Sequence, residues 1–399
     1  MLTPRDGRSI GRRHLQTQGM LGGGSGTLGG LAESVFKPMT PAATLPPLIF
    51  LTCGDPAGIG PEVVVRGWQE PAAHASARLR VVADARLLAA VLARRTGLPP
   101  LPLRIITADD SRPSQPDELL VIEPRAPRID PADLPDAKIS VAGGRAAADA
   151  VLDAWAAVQA GTAAALVTGP LNKEALHAAG HDVPGHTELL ARSCGRSAEE
   201  VSMMLWLPTA GAAGLGVVHA TLHEPLRKAV ARLSAAGIEA AGRRLHGVLE
   251  QLLNRRPRIA VAALNPHGGE GGLFGDEEPR LVAPAVAALV AAGLTATGPL
   301  PADTLFLRAS LGEFDGVVAL YHDQGHIPVK LLGMHRAVNI TLGLPFVRTS
   351  VAHGTGFDIV GTGQADPTSL LAAIAAASRL VAAPGITDAS SRAFGCRAP

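Results

Sequence analysis

The amino-acid sequence predicts one large or two fused α/β domains, in which mostly parallel sheets are covered by helices. Short apolar segments with strand-like composition alternate with longer segments that have helical periodicity, and this alternation is typical of parallel sheets. The length of 399 residues exceeds one average domain. Apolar residues make up 47% of the chain but aromatic residues only 3%, so alanine, valine and leucine must form the core between the layers.

The predicted strands begin with a buried segment, Leu48–Thr52, which ends in the glycine-rich turn Gly54–Glu62. Pro61 stands where a helix would begin, and its fixed φ suits that position. Further segments with strand-like composition are Leu79–Ala83, Leu119–Ile122, Ala164–Thr168, Val201–Leu207, Gly216–Val218, Arg258–Leu264 and Gly316–Tyr321. Segments with helical periodicity include Ala146–Ala160, Ser234–Leu253 and Pro279–Ala292. The pair Gly143-Gly144 and the Pro/Gly-rich stretch 295–303 are candidates for crossings between two lobes.

The two ends of the chain differ in composition from the rest. Residues 1–46 contain an arginine-rich start and several glycine clusters, with almost no periodic apolar pattern. Such a segment buries too little surface to offset its ordering entropy. We therefore expect a disordered or non-native leader, with an organelle-type transit segment as the alternative and no secretory signal. Residues 384–399 are expected to form a flexible C-terminal tail.

Charge and cysteine usage exclude several classes of function. The formal net charge is +1, and no basic stripe with interleaved aromatic residues indicates nucleic-acid binding. No apolar run approaches the roughly 20 residues that a membrane span needs. The chain has 3 cysteines, widely spaced and without a CxxC motif, which fits a reducing compartment. We expect a soluble, cytoplasmic protein that binds neither nucleic acid nor membranes.

Histidines follow three of the predicted strands. His219 and His223 follow Gly216–Val218, His267 follows Arg258–Leu264, and His322 follows Gly316–Tyr321. Open α/β sheets place ligands at the carboxyl ends of their strands, and neutral imidazoles bind zinc and similar divalent ions. The pattern predicts a metal site with three histidine ligands. Only one of them would come from the pair His219 and His223, because both side chains would face the same side only on a helix, and Pro225 argues against a helix here. Asp303 could orient one imidazole as a neighbouring carboxylate.

A second group of polar residues indicates an anion site. His186 and Thr187 stand ahead of a helical segment, where free backbone N–H groups favour negative charge. The plainer interpretation is an N-capping Thr187 beside a surface histidine. Lys330, Asn339 and Arg348 could converge from neighbouring loops on a phosphate or carboxylate, because arginine binds an oxyanion with two bonds and lysine adds a point charge.

Six motifs in one collinear order resemble those of the 4-hydroxythreonine-4-phosphate dehydrogenase (PdxA) family. They are Gly54–Glu62, Pro184–Glu188 (PGHTE), Asn265–Gly272 (NPHGGEGG), Pro301–Thr304 (PADT), Tyr321–Lys330 (YHDQGHIPVK) and Asn339–Thr355 (NITLGLPFVRTSVAHGT). The resemblance covers about residues 47–383 and implies one catalytic region of two interleaved α/β lobes. His353–Gly361 is also similar to the adenosine-binding loop of isocitrate and isopropylmalate dehydrogenases. Their two-lobed fold, with the active site in the cleft between the lobes, is therefore expected here.

The resemblance implies a role for each of the residues that match its motifs. The metal ligands would be His223, His267 and His322, with His223 chosen over His219 because the family's ligand immediately precedes the segment that is here Glu224-Pro225-Leu226. The substrate-binding residues would be His186, Thr187, Lys330, Asn339 and Arg348, and the cofactor-binding residues His353, Gly354 and Asp358. Lys330 and Asp303 are the candidate catalytic bases, with metal-bound water as a further candidate. NAD or NADP, one divalent ion per site (zinc, magnesium or cobalt) and a homodimer with its active sites at the interface are also implied.

The activity implied is metal-dependent oxidation of 4-phosphohydroxy-L-threonine by NAD to 2-amino-3-oxo-4-phosphooxybutanoate. This product decarboxylates to 3-amino-2-oxopropyl phosphate, a step in pyridoxal phosphate biosynthesis. Ala352 stands where the family commonly has aspartate, which leaves open dehydrogenases of 4-phosphothreonate, 4-phosphoerythronate or an aromatic cis-dihydrodiol dicarboxylate. The motif Gly185-His186-Thr187 and Arg348 favour a phosphorylated substrate. From another class, a phosphotransacetylase-like acyltransferase would need the anion-binding residues but not three histidines.

Overall fold

The computed structural model describes residues 45–197, 199–211 and 213–383, and in this part 12 strands form one continuous sheet. The predicted tail 384–399 and nearly all of the predicted leader 1–46 lie outside the described residues. The strands are β1 (Leu48–Thr52), β2 (Arg78–Val82), β3 (Leu103–Ile105), β4 (Leu119–Ile122), β5 (Ala165–Thr168), β6 (Ser202–Leu207), β7 (Leu215–His219), β8 (Arg258–Ala262), β9 (Thr295–Leu300), β10 (Gly316–Ala319), β11 (Val338–Leu342) and β12 (Val347–Val351).

Helices occupy most of the connections between the strands. They are α1 (Gly60–Trp68), α2 (Pro71–His74), α3 (Ala85–Ala93), α4 (Val141–Gln159), α5 (Lys173–Ala178), α6 (His186–Ser193), α7 (Leu226–Arg232), α8 (Ala235–Leu253), α9 (Ala283–Ala291), α10 (Ala302–Ser310), α11 (His322–Gly333) and α12 (Thr368–Ala382). The two longest helices, α4 and α8, begin after Ser140 and Ser234, whose hydroxyls accept hydrogen bonds from backbone N–H groups of the first turn. Among the described residues, no helix is both long and apolar enough to cross a bilayer.

The sheet consists of two parallel blocks that run in opposite directions. Strands β3-β4-β2-β1-β5-β12 form one parallel block, and β7-β10-β8-β9 form the other. Between them, β11 and β6 make antiparallel pairs with each other and with the flanking strands β12 and β7. The prediction of a mostly parallel α/β architecture covered by helices is therefore confirmed, with a short antiparallel centre that joins the blocks.

Apolar side chains bury both faces of the sheet, as covered parallel strands require. All five residues of β1 are buried, and so are all five of β7 and of β12. On one face, α8 and α12 pack against the sheet through aliphatic residues such as Leu245, Leu249 and Ile374, each of which is almost fully buried. The core is accordingly built mainly from alanine, valine and leucine.

Two glycine-containing stretches that could have been crossings between lobes are parts of regular elements. Gly143 and Gly144 lie inside α4, where a Cβ on Gly144 would come within 1.9 Å of the Ala175 carbonyl oxygen. These glycines therefore let α4 approach α5 closely. The stretch 295–303 contains β9, which forms an edge of the sheet and can accommodate Pro299 because an edge strand has one unpaired side.

The turn after β1 packs against loops that follow two other strands of its block. Gly54 has φ +71°, and a Cβ there would meet the Pro170 carbonyl oxygen after β5. The backbone N–H of Ile59 donates to the Thr355 carbonyl oxygen, at 2.8 Å, in the loop after β12. The carboxyl ends of β1, β5 and β12 are thereby held together beside the antiparallel centre.

Candidate active site

A pocket of about 280 Å³ lies over the antiparallel centre of the sheet. Strand pairing aligns Asn339 of β11 with Leu205 of β6 and Ser350 of β12. The next row on the same face consists of Met203, Thr341 and Arg348. Because alternate residues of a strand face the same side of the sheet, the two rows form a common floor. Apart from Thr341, all of these residues line the pocket.

The pocket brings together most of the residues that the sequence singled out. Those that line it are His186, Thr187, His223, His322, Lys330, Asn339, Arg348, His353 and Gly354. Three others lie outside its lining and are exposed in the single chain: His267, Asp303 and Asp358. His267 belongs to the glycine-rich turn Pro266–Gly272 after β8, and Asp303 lies in the first turn of α10.

Arg348 provides a buried positive charge at one end of the pocket. It is 1% exposed, and its guanidinium donates to Thr341 Oγ1 at 2.9 Å and to Thr168 Oγ1 at 2.6 Å. Its Nε is buried without a partner among the described residues. Burial lowers the pKa of Arg348 to about 10, which leaves it cationic at neutral pH. Arg348 and Asn339 were predicted to lie on loops, but they lie on the neighbouring strands β12 and β11.

The N-terminus of α6 faces the same end. The helix begins at His186 and has Gly185 at the capping position without a side-chain cap, so the interpretation of Thr187 as the N-cap is wrong. Nε2 of His186 is buried and has no partner among the described residues. Burial and the nearby Arg348 hold the pKa of His186 well below its usual value, so the ring is neutral. Free N–H groups, a neutral imidazole and Arg348 together favour an anion here.

Two of the predicted metal ligands, His223 and His322, are neighbours in the same pocket. The ring centroids of His223 and His322 are 5.5 Å apart. Imidazoles that bind one zinc ion at about 2.1 Å in tetrahedral geometry have centroids roughly 5 Å apart, so this spacing fits a shared ion. Asp323 Oδ1 lies 2.6 Å from Nδ1 of His322, so the carboxylate accepts a hydrogen bond from Nδ1–H and leaves Nε2 as the nitrogen that could bind a metal. Burial, followed by Lys173 and His322, lowers the pKa of His223 to about 4.

A buried pair of histidines lies behind these two rings. His326 Nδ1 is 3.0 Å from His219 Nε2 and 3.2 Å from the His322 carbonyl oxygen. The His326 ring stacks on that of His322 with centroids 3.7 Å apart. Burial and the neighbouring imidazoles lower the pKa of His219 to about 3 and that of His326 to about 4. Within the described residues of this single chain, no three His, Cys, Asp or Glu side chains are grouped so as to hold a metal.

Several residues of the pocket were missed by sequence reasoning. Lys173, Glu188, Ser350 and His326 line it. Thr168 and Asp323 lie outside its lining but contact Arg348 and His322, which line it. Asp323 could have been found from its position next to His322, and Thr168 from its place at the end of a predicted strand. Ser350 could not, because the strand that carries it was not predicted.

The fold and the pocket are those of an α/β protein in which a buried arginine and a cluster of imidazoles line one pocket. The family model for "Pyridoxal phosphate biosynthetic protein PdxA" matches residues 75–377. The chain therefore belongs to the PdxA family, and it is a dehydrogenase that acts on a CH–OH group. Dehydrogenases of this family use a nicotinamide cofactor.

Individual relatives agree with this assignment. The chain is 46% identical, over 329 residues, to a D-threonate 4-phosphate dehydrogenase of Cupriavidus necator, covering 82% of this chain and 95% of the relative. It is 43% identical, over 346 residues, to a 4-hydroxythreonine-4-phosphate dehydrogenase of Beijerinckia indica, covering 83% and 94%. A crystal structure of 4-hydroxythreonine-4-phosphate dehydrogenase from Klebsiella pneumoniae superimposes with a TM-score of 0.73 at 43% identity, covering 85% of this chain and 99% of that one.

Proposed function

We propose that this chain is a metal- and NAD-dependent dehydrogenase that oxidises the hydroxyl next to the phosphorylated carbon of a four-carbon hydroxy acid. The observation that carries the proposal is one pocket lined both by a buried, partly unpartnered Arg348 and by the His223–His322 pair. A phosphate bound by Arg348 would direct the rest of a short substrate toward the imidazoles. Binding energy from the phosphate, which does not react, can then orient the reacting carbon.

The phosphate-binding set would be Arg348, Asn339, His186, Thr187 and Lys330. Lys330 is an exposed residue near the end of α11 and lies close enough to His326 for its charge to lower the pKa of that ring. We propose that Lys330, after it loses its own proton to solvent, receives the hydroxyl proton at Nζ. Asp303, the other candidate base, lies outside the pocket of the single chain.

His223 and His322 fit a divalent ion in spacing, and His267 is the third ligand that we propose. His267 lies outside the pocket of its own chain. The third imidazole would therefore come from His267 of the partner subunit in a homodimer. Nitrogen ligands of this kind favour zinc over magnesium. Such an ion would polarise the hydroxyl as a Lewis acid. It would also stabilise the negative charge that develops on the substrate when CO₂ leaves.

Exposed apolar side chains near these elements support the homodimer. Leu331 on α11 is 82% exposed, Leu311 after α10 is 77% exposed, and Leu273 after the His267 turn is 73% exposed. Exposed apolar residues on neighbouring elements are typical of an interaction surface. We propose that a second copy of the chain covers these side chains. We also propose a cytoplasmic location, because widely spaced cysteines without a disulfide framework fit a reducing compartment.

For the cofactor we propose NAD, bound by His353, Gly354 and Asp358. The loop that carries these residues is fixed by the backbone N–H of Gly361, which donates to Glu62 Oε1 at 2.9 Å. Asp358 is exposed. A carboxylate at the ribose binds the 2′-hydroxyl of NAD and repels the 2′-phosphate of NADP.

Two substrates are distinguished by the group on C2. 4-Phosphohydroxy-L-threonine carries an amino group there, and D-threonate 4-phosphate carries a hydroxyl. Among the described residues that line the pocket, Glu188 is the only carboxylate, and it lies near Arg348 at the phosphate end. This arrangement favours the uncharged hydroxyl, so we propose D-threonate 4-phosphate as the first candidate. Identity of 43% to a 4-hydroxythreonine-4-phosphate dehydrogenase keeps 4-phosphohydroxy-L-threonine, and with it pyridoxal phosphate biosynthesis, as the second.

NADH formation should be measured with zinc, magnesium or cobalt and four compounds: D-threonate 4-phosphate, 4-phosphohydroxy-L-threonine, 4-phosphoerythronate and a terephthalate-type cis-dihydrodiol. We expect the largest kcat/KM with D-threonate 4-phosphate. A larger value with 4-phosphohydroxy-L-threonine would reverse the order of the two candidates. If no phosphorylated compound yields NADH and the purified protein contains no divalent metal, the result would contradict the dehydrogenase and favour an acyltransferase.

A further inference from the structure

We propose that His326 is a substrate-binding residue, whose Nε2 accepts a hydrogen bond from the hydroxyl on the carbon next to the one that is oxidised. The inference rests on the function proposed above and gives it a residue that recognises the C2 substituent. His326 is 7% exposed in the chain, and it lines the pocket beside His322.

The hydrogen bonds of His326 determine which ring nitrogen carries the proton. Nδ1 lies 3.2 Å from the His322 carbonyl oxygen and 3.0 Å from His219 Nε2. A carbonyl oxygen can only accept, so Nδ1 of His326 is the donor. A neutral imidazole that donates from Nδ1 has an unprotonated Nε2. No partner for that Nε2 is found among the residues that the structure describes, so it remains an acceptor available to a ligand.

His219 fixes this arrangement from the interior side. When its Nε2 accepts from His326, the proton of a neutral His219 is on Nδ1, which is buried and has no hydrogen-bond partner among the described residues. His219 is 4% exposed, so its ring is held inside the protein behind that of His326. The pair therefore keeps the acceptor nitrogen of His326 directed to the pocket and its donor nitrogen directed to the protein.

The stacking of the His326 ring on the His322 ring argues against His326 as a ligand of the same metal ion. The rings of His322 and His326 are nearly parallel, at 10°, with centroids 3.7 Å apart. An ion bound through the lone pair of one imidazole lies in the plane of that ring. Two imidazoles stacked in this way do not direct their lone pairs to one point, so a divalent ion held by His322 would not be shared with His326. Nε2 of His326 is then left for a polar group of the substrate.

The test measures binding of two probes to the zinc-loaded, full-length protein by calorimetry, without NAD so that no turnover occurs. The probes are D-threonate 4-phosphate and its 2-deoxy analogue, 3-hydroxy-4-phosphobutanoate of the same C3 configuration. We expect the wild type to bind the first about tenfold more tightly, as the loss of one hydrogen bond predicts. In His326→Asn the amide replaces Nδ1 but leaves nothing at Nε2, so the preference should disappear. In His326→Gln the amide reaches the Nε2 position and should retain most of it.

Zinc content and melting temperature of each variant complete the experiment. Equal zinc content in the wild type and both variants is expected, and loss of zinc from His326→Asn would identify His326 as a ligand and overturn the proposal. An unchanged preference in His326→Asn, or no preference in the wild type, would also overturn it. If the wild type binds neither probe, the proposed substrate class is wrong and the inference fails with it. If the wild type binds both probes equally, the proposed role of His326 is wrong, but the proposed substrate class is not contradicted.

Discussion

At the scale of single residues, the pocket is defined by polar groups that are buried without enough partners. Arg348 has two hydroxyl partners but an unpartnered Nε, and Nε2 of His186 and Oδ1 of Asn339 are also buried without partners in the described chain. Leaving such groups unpaired costs free energy, and a ligand that pairs them recovers it. These three atoms therefore mark the part of the pocket where a polar ligand would be stabilised most.

Arg348→Ala should raise KM for a phosphorylated substrate by about 10- to 100-fold, because charge-assisted hydrogen bonds contribute a few kcal/mol to binding. We expect kcat to fall less than kcat/KM. Arg243→Ala, at an exposed position on α8, serves as the control and should leave both constants unchanged. An equal loss for a substrate analogue without phosphate would show that Arg348 does not bind the phosphate.

Asp323→Asn should weaken metal binding by about 10- to 100-fold, as is typical when the carboxylate behind a ligating histidine is lost. The physical reason is its 2.6 Å contact with Nδ1 of His322, which orients the ring and fixes its tautomer. Asp303→Asn is the matched comparison, since Asp303 is the alternative orienting carboxylate. Zinc affinity, measured by competition with a chelator, decides between them. A loss in Asp303→Asn alone would assign the role to Asp303.

At the scale of elements, strands with continuous apolar sequence were predictable and mixed ones were not. The segment Leu48–Thr52 was predicted to the residue, because five buried apolar or hydroxyl side chains form a parallel strand. Strands β11 and β12 were missed, since Asn339 and Arg348 interrupt their apolar pattern. Those polar residues are the ones that face the pocket. These strands are therefore hard to predict because of the residues that face the pocket. A polar residue at such a position interrupts the apolar pattern on which strand prediction depends.

Gly144→Ala should lower the free energy of unfolding by about 1–3 kcal/mol, as overpacking in a close contact does. The added Cβ would come within 1.9 Å of the Ala175 carbonyl oxygen, so α4 and α5 would have to separate. Gly237→Ala in the first turn of α8 is the control, because its Cβ would meet only the Ser234 hydroxyl, at 3.1 Å. Urea unfolding at one protein concentration measures both. A Gly144→Ala protein as stable as the control would show that this contact relaxes freely.

At the scale of the whole molecule, the antiparallel centre places the ends of two opposed parallel blocks around one pocket. The block that contains β5 and β12 supplies the loop residues Gly169, Pro170, His353 and Gly354. The block that contains β7 and β10 supplies His223 and His322. Most of the side chains that the sequence singled out line this one pocket, but the sequence did not predict that His267 would lie outside the pocket of its own chain. Chain order carries no information about whether two loops meet within one subunit or across two.

Mixed dimers test the proposal that each metal site uses His267 of the partner subunit. The His267→Ala and His322→Ala chains should each lack zinc and activity when assembled alone. In a mixed dimer, one site combines the intact His223 and His322 of the His267→Ala chain with the intact His267 of the other chain. Unfolding and refolding an equimolar mixture should therefore restore about a quarter of the wild-type zinc and activity, since half of the dimers are mixed and each has one complete site. Recovery should be absent when each variant is refolded alone. If the mixture stays inactive although mixed dimers are present, all three ligands belong to one chain, and the exposed His267 turn would have to fold back onto its own pocket to complete the site.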